Sequence, residues 1–129
     1  MITWIFGNTG AGKTTHAQSI LGAPTIKPMI HLDGDDMRET ICSDLGFSSA
    51  ERIVNNHRIA ALAGLLEHQG FDIVVSVITP YQSTRKHIKQ MYNPYFVYVE
   101  GGASDCERTP FETPEPDEYD LHIVGNTSC

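Results

Sequence analysis

Ile2-Thr3-Trp4-Ile5-Phe6-Gly7-Asn8-Thr9-Gly10-Ala11-Gly12-Lys13-Thr14-Thr15 decides the reading of this chain. Its first five residues are all β-branched or aromatic and run into glycines; the helix-compatible Lys13 to Leu21 follows, until Gly22 and Pro24 stop it. Strand, glycine loop and helix form the context in which Gly7 to Thr14 satisfies GxxxxGK[ST]. Backbone N–H groups of such a loop converge on a phosphate at a helix N-terminus, where the dipole also favours an anion. We therefore expect Gly7, Asn8, Thr9, Gly10, Ala11, Gly12, Lys13, Thr14 and Thr15 to hold the phosphates of a nucleotide. Within that loop Lys13 would bridge the β- and γ-phosphates and Thr14 would ligate Mg2+.

Outward from this unit the pattern repeats. Met29 to Leu32 is a short strand that meets the acidic turn Asp33-Gly34-Asp35-Asp36, and Met37 to Leu45 reads as helix up to Gly46. Ser49 to Gln69 places Ile59, Leu62, Ala63 and Leu66 at i, i+3, i+4 and i+7, an amphipathic helix capped near Ser48 or Ser49 and ended by Gly70. Its first half instead carries Arg52, Asn55 and Asn56 on one face, a polar stripe open to solvent or a ligand. Phe71 to Ile78 is a β-branched run without alternation, as expected of a parallel strand covered on both faces. Ser83 to Met91 follows as helix, Pro94 to Glu100 as strand, Gly101 to Arg108 as a turn with a brief helix, and Leu121 to Val124 as a last strand. Thr109 to Asp120 holds three prolines and five acidic residues and reads as a loop. The alternation predicts a three-layer α/β/α architecture, a P-loop NTPase fold with a mainly parallel five-stranded sheet.

Composition bounds this reading. Among 129 residues, nine Lys and Arg face sixteen Asp and Glu, leaving a net charge of −7 with 40% hydrophobic content. That suits a single domain spanning residues 1–129, long enough to bury roughly two-thirds of its unfolded surface without a disulfide or structural metal. The acidic balance argues against nucleic acid as a partner, because such binding draws on Lys and Arg. Cys42, Cys106 and Cys129 are odd in number and widely spaced, so a reducing cytoplasm fits best. The six histidines form no HExxH or HxxxH pair. The longest apolar run, Ile73 to Ile78, is broken by Ser76 and far shorter than the roughly 20 residues a membrane span needs, so no membrane partner is expected.

A carboxylate must complete the phosphate site, and the Phe71 to Ile78 strand offers only Ser76 and Thr79. Asp33 and Asp35 follow the second strand, and C-terminal strand ends line the phosphate site of such a sheet. One of the pair can support Mg2+ while the other accepts the proton of an attacking hydroxyl, and the pattern leaves open which does which. A helix N-cap is a further role for either. Arg38, Arg52 and Arg58 are available for an anionic acceptor, with Phe47 as a flat surface for a base.

Several of these segments together resemble the adenylylsulfate (APS) kinase family. Leu32-Asp33-Gly34-Asp35-Asp36-Met37-Arg38 is similar to its LDGDNxR, and Asp44-Leu45-Gly46-Phe47-Ser48 to its DLGFS. Glu51-Arg52 with Asn55 and Arg58 is similar to DRxENxRR, Ile78-Thr79-Pro80-Tyr81 to ISPF or ISPY, and Val97 to Val99 with Cys106-Glu107-Arg108 to VxVxxxxxxCExR. The resemblance covers roughly residues 2–108. It implies transfer of phosphate from MgATP to the ribose 3′-hydroxyl of adenosine 5′-phosphosulfate (APS), with ATP and APS as partners and a possible homodimer. Carried over by position, Lys13, Asp33 and Asp35 are catalytic, and Thr14 and Asp33 serve the metal. Arg38, Phe47, Arg52, Asn55, Ile78, Thr79, Pro80 and Tyr81 form the acceptor side, with Phe47 against the adenine and Thr79 a substrate contact. The two rival readings are a small kinase for another hydroxyl, such as a nucleoside, a sugar acid or a polynucleotide end, and a nucleotide-binding remnant without transfer activity.

The departures from the family pattern all move charge in one direction. Asp36 replaces an Asn, His57 the first Arg of the RR pair, and Gln82 a Lys or Arg. The long basic lid expected after CExR is missing, and the acidic segment from Thr109 to Asp120 stands in its place. Arg85 and Arg108 are then the expected substitutes that reach the nucleotide's base or phosphates, and hydrolysis should compete with transfer.

Overall fold

The computed structural model describes residues 1–8, 10–23, 27–101 and 110–125. Five strands, β1 (Ile2–Phe6), β2 (Met29–Asp33), β3 (Asp72–Ser76), β4 (Tyr95–Glu100) and β5 (Leu121–Val124), form one sheet in the order β2-β3-β1-β4-β5. Every pairing is parallel, so the sheet is more uniform than the mainly parallel one expected. Among the described residues, four α-helices lie between them: α1 (Lys13–Leu21), α2 (Gly34–Glu39), α3 (Ser49–His68) and α4 (Gln82–Tyr92).

The period-2 alternation of strands sorts the core into two faces. Trp4 and Phe6 of β1, Ile73 and Val75 of β3, and Phe96 and Tyr98 of β4 pack with Ile59, Ala60 and Ala63 of α3 and Ile88 of α4. Ile5, Val74, Val97 and Val99 turn the other way, against Ala17 of α1. Buried on both faces, these strands need apolar residues at every position, which explains the missing alternation.

Several boundaries differ from the sequence reading. Helix α2 begins at Gly34, not Met37, because Asp33 caps it with a side-chain oxygen that accepts from the Asp35 N–H at 3.3 Å. It ends at Glu39, not Leu45: Thr40 leaves helical geometry at φ −123° and ψ −101°. Strand β3 stops at Ser76, where its partner β2 runs out at Asp33, although residues up to Ile78 were expected to belong to it. The expected brief helix before Arg108 lies outside the described residues, as do Cys106 and Cys129. Among the described residues no helix is long and apolar enough to cross a membrane.

The acidic segment is a loop tied down at both ends. Glu112 donates its N–H to the Pro80 carbonyl at 2.8 Å, and its carboxylate accepts from the Gln82 N–H at 2.7 Å, capping α4 from outside. A 3-10 turn, Pro116–Glu118, follows, and Asp120 pairs with the Phe96 backbone before β5 begins.

Candidate functional site

Phosphate loop and acidic turn meet at the C-terminal ends of the strands. Gly10 and Gly12 adopt φ of 80° and 105°, left-handed values that a side chain would strain, so the glycines in the loop are backbone requirements. At Gly7 the constraint is space: a Cβ there would collide with the Val99 carbonyl. Lys13 Nζ donates to the Asn8 carbonyl at 2.9 Å. Gly10, Gly12, Lys13, Thr14 and Thr15 line a cleft of about 780 Å3, whereas Gly7, Asn8 and Ala11 shape the loop behind it. Thr9 lies outside the described residues.

Asp33 and Asp35 line the same cleft, in different surroundings. Asp33 Oδ1 accepts from the Thr14 hydroxyl at 3.0 Å and from the Ser76 hydroxyl at 2.7 Å, and Oδ2 takes the Asp35 N–H. Asp35 is exposed, and among the described residues its carboxylate accepts no hydrogen bond. Thr14 and Asp33 thus set two hard oxygen donors side by side next to the loop lysine. That donor set suits a Mg2+ carried largely by phosphate oxygens and water, which asks for one or two protein ligands and no cage.

The cleft continues into an arginine-flanked platform. Phe47 is 69% exposed, an unusual position for a large aromatic. Arg38 stands 4.6 Å and Arg52 5.3 Å from its ring centroid. Arg38 Nη1 donates to the carbonyls of Leu45 and Gly46, and Arg52 Nε to that of Phe47, so both guanidiniums are oriented by the backbone of this corner. Burial, and then the neighbouring Arg52 charge, pushes the Arg38 pKa down. Two cations pressed together beside a flat ring relieve their repulsion when an anion lies between them. The corner itself is fixed by Glu51, whose carboxylate accepts from the Gly46 N–H at 2.6 Å and from the Ser48 hydroxyl at 2.8 Å. These bonds, the Gly46 one first, hold the Glu51 pKa below its ordinary value.

Asn55, Asn56, Ile78 and Pro80 complete the wall, joined by Glu39 and Ser76, for which the sequence reading gave no role. Asn55 Oδ1 is buried and has no hydrogen-bond partner among the described residues, which leaves an acceptor for a ligand donor or water. The break that Ser76 makes in an apolar strand was the available signal for it.

Three expected contacts are not formed. Thr79 is wholly buried; its hydroxyl accepts from the Trp4 indole N–H at 2.8 Å, and it does not reach the cleft. Tyr81 turns its hydroxyl to Ser49 at 3.1 Å and lies off the cleft wall. Arg85, expected to reach ATP, is 1% exposed. Its Nε pairs with Glu118 Oε1 at 2.9 Å, while the other guanidinium nitrogens donate to the Thr79 and Glu112 carbonyls. Sealed under the acidic segment, it can touch no nucleotide. Arg58 likewise is engaged away from the cleft wall, with Asp44 at 2.7 Å. His57 packs against His87, 4.6 Å between ring centroids, and burial followed by that neighbour lowers its pKa, so no charge replaces the arginine of the family pattern. Arg108 lies outside the described residues.

A family model described as adenylylsulphate kinase matches residues 1–112. The chain belongs to the adenylylsulphate kinase family. An adenylyl-sulfate kinase of Buchnera aphidicola is 37% identical over 113 residues, covering 83% of this chain and 54% of that protein. One of Deinococcus deserti is 38% identical over 102 residues, covering 77% of this chain and 56% of its own length. The chain thus spans little more than half the length of these relatives. Among solved structures, a Mycobacterium tuberculosis APS kinase in complex with AMPPNP and APS superposes with a TM-score of 0.79 at 25% identity, covering 95% of this chain and 86% of that one. The match confirms the P-loop fold and the family on which the motif-by-motif resemblance rested.

Proposed function

We propose that this chain is an ATP-dependent kinase that phosphorylates the 3′-hydroxyl of adenosine 5′-phosphosulfate, giving ADP and 3′-phosphoadenylyl sulfate. The observation that carries this reading is one cleft lined by Lys13 and Thr14 of the phosphate loop, by Asp33 and Asp35, and by Phe47 with Arg38 and Arg52 against its ring. In that layout the loop glycines and Lys13 grip the triphosphate, the two arginines with Asn55 take the phosphosulfate, and Phe47 stacks on the adenine.

The two carboxylates divide the labour. Asp33, with three donors on its oxygens, serves the metal side together with Thr14. Asp35, open to an incoming hydroxyl, accepts the 3′-OH proton as that oxygen attacks the γ-phosphorus and the bond to the β-phosphate oxygen breaks. When bound, Mg2+ neutralises charge on the phosphate oxygens. Positioning by the chain's own groups supplies most of the remaining rate.

A second reading, a kinase for a less anionic hydroxyl acceptor, draws on Glu39, which lines the same cleft. Self-association is proposed without a fixed number of copies; the Thiobacillus denitrificans APS kinase, 31% identical with a TM-score of 0.71, is hexameric. Calorimetric titration with ATP and APS, singly and together, tests the reading. Simultaneous binding of both is expected. Binding of ATP with indifference to APS favours the second reading, and binding of neither contradicts both.

A further inference from the structure

Strands β2 and β3 run parallel with Asp33 beside Ser76 and His31 beside Val74. Two residues apart on one strand, His31 and Asp33 project to the same face of the sheet, and Ser76 stands between their side chains. His31 Nε2 lies 2.6 Å from Ser76 Oγ, and Ser76 Oγ 2.7 Å from Asp33 Oδ1. His31 Nε2 is 3.8 Å from Asp33 Oδ1, so the serine bridges them. Ser76 itself is 2% exposed.

Proton counting gives this chain a direction. The Asp33 carboxylate can only accept, so the single Ser76 hydroxyl proton points to it. Ser76 Oγ then offers lone pairs to His31, whose Nε2 must carry a proton. The order is His31 N–H to Ser76 O–H to Asp33, whatever the charge on the ring. Of the three donors on Asp33, the Asp35 N–H is long at 3.3 Å, and Thr14 is itself a proposed metal ligand. The Ser76 bond is the shortest and comes from the sheet.

We propose that Ser76 and His31 are positioning residues that hold the Asp33 carboxylate in the orientation needed for the magnesium–nucleotide complex. This rests on the assignment of Asp33 to that complex. His31 keeps the serine proton aimed at Asp33, and Ser76 fixes the carboxylate rotamer independently of Thr14. A serine that merely satisfies itself inside a strand would matter equally with or without metal.

The test is calorimetric titration of ATP, in excess Mg2+ and in EDTA, into the wild-type chain and the variants Ser76→Ala, His31→Leu and His31→Gln, with thermal unfolding to confirm that each is folded. Partners of metal ligands are worth ~10- to 100-fold in metal affinity or activity. Ser76→Ala should therefore lose about 10-fold or more of the Mg2+-dependent gain in ATP affinity, with the EDTA value unmoved. His31→Leu should shift the same way by less, and His31→Gln, whose amide N–H reaches the place of Nε2, should recover most of it. Variants that keep the wild-type Mg2+ gain, equal losses with and without Mg2+, or a Gln variant no better than Leu would each overturn the relay. A wild-type chain that binds no ATP in either condition overturns the kinase reading and the relay with it; normal wild-type binding beside unaffected variants overturns the relay alone.

Discussion

Arginines meet two fates in this fold. Arg38 and Arg52 stand at the edge of an open cleft against an exposed aromatic ring, the charge of Arg52 weighing on Arg38, and among the described residues neither is held in an ion pair with a carboxylate. Arg85 is sealed beneath the acidic segment, paired with Glu118 and bonded to two carbonyls, with Phe6 and Phe111 against its guanidinium. The first arrangement stores unsatisfied positive potential that an anion can use; the second has consumed its charge within the protein. Residue type alone does not separate a binding arginine from a structural one. The partner and the burial do.

The contrast is sharpest in stability. Removing one member of a buried ion pair strands the other, at a cost of about 3–5 kcal/mol, so Arg85→Met should lower urea-unfolding stability by that order. If Arg85→Met instead left stability intact and weakened ATP binding, the two fates would be reversed. Arg52→Ala should do the opposite, raising the KM for APS by about 10-fold or more, since hydrogen bonds to charged groups are worth ~1.5–3 kcal/mol. Its unfolding midpoint should scarcely move. Phe47→Ala should raise the same KM with kcat much less affected, because base–aromatic stacking contributes about 1–3 kcal/mol. Exposed as the ring is, stability should again be indifferent.

The smallest expected effect concerns the corner that holds Phe47 in place. The folded Glu51 pKa lies below the ordinary 4.5, so its contribution is fully present above that pH and is lost as pH falls through the folded value. Unfolding profiles of wild type and Glu51→Gln should therefore converge on acidification and separate toward neutrality. Parallel profiles would mean that the Gly46 and Ser48 bonds do not stabilise the corner.

These differences also mark where the sequence stopped being legible. Local signals located the phosphate loop, the five strands and the acidic turn, because glycine spacing and β-branched runs act over a few residues. The caps shifted α2: Asp33 starts it and Thr40 ends it, and competition among several short polar residues does not name the winner. Arg85 reads as a nucleotide contact because its partner Glu118 lies 33 residues downstream, in a segment that reads as a loop. Thr79 reads as a substrate contact because motif resemblance says nothing of which way a side chain turns; Trp4, 75 residues earlier, claims its hydroxyl. Ser76 is illegible for the same reason, since strand register brings it to Asp33 across 43 residues and to His31 across 45.

Incubation of the chain with γ-labelled ATP, Mg2+ and a panel of hydroxyl acceptors that includes APS, followed by separation of products, tests the central claim most directly. The account predicts label in the 3′-phosphate of 3′-phosphoadenylyl sulfate, with some released as inorganic phosphate. Label on a different acceptor, or release to inorganic phosphate alone whether or not APS is present, would contradict it.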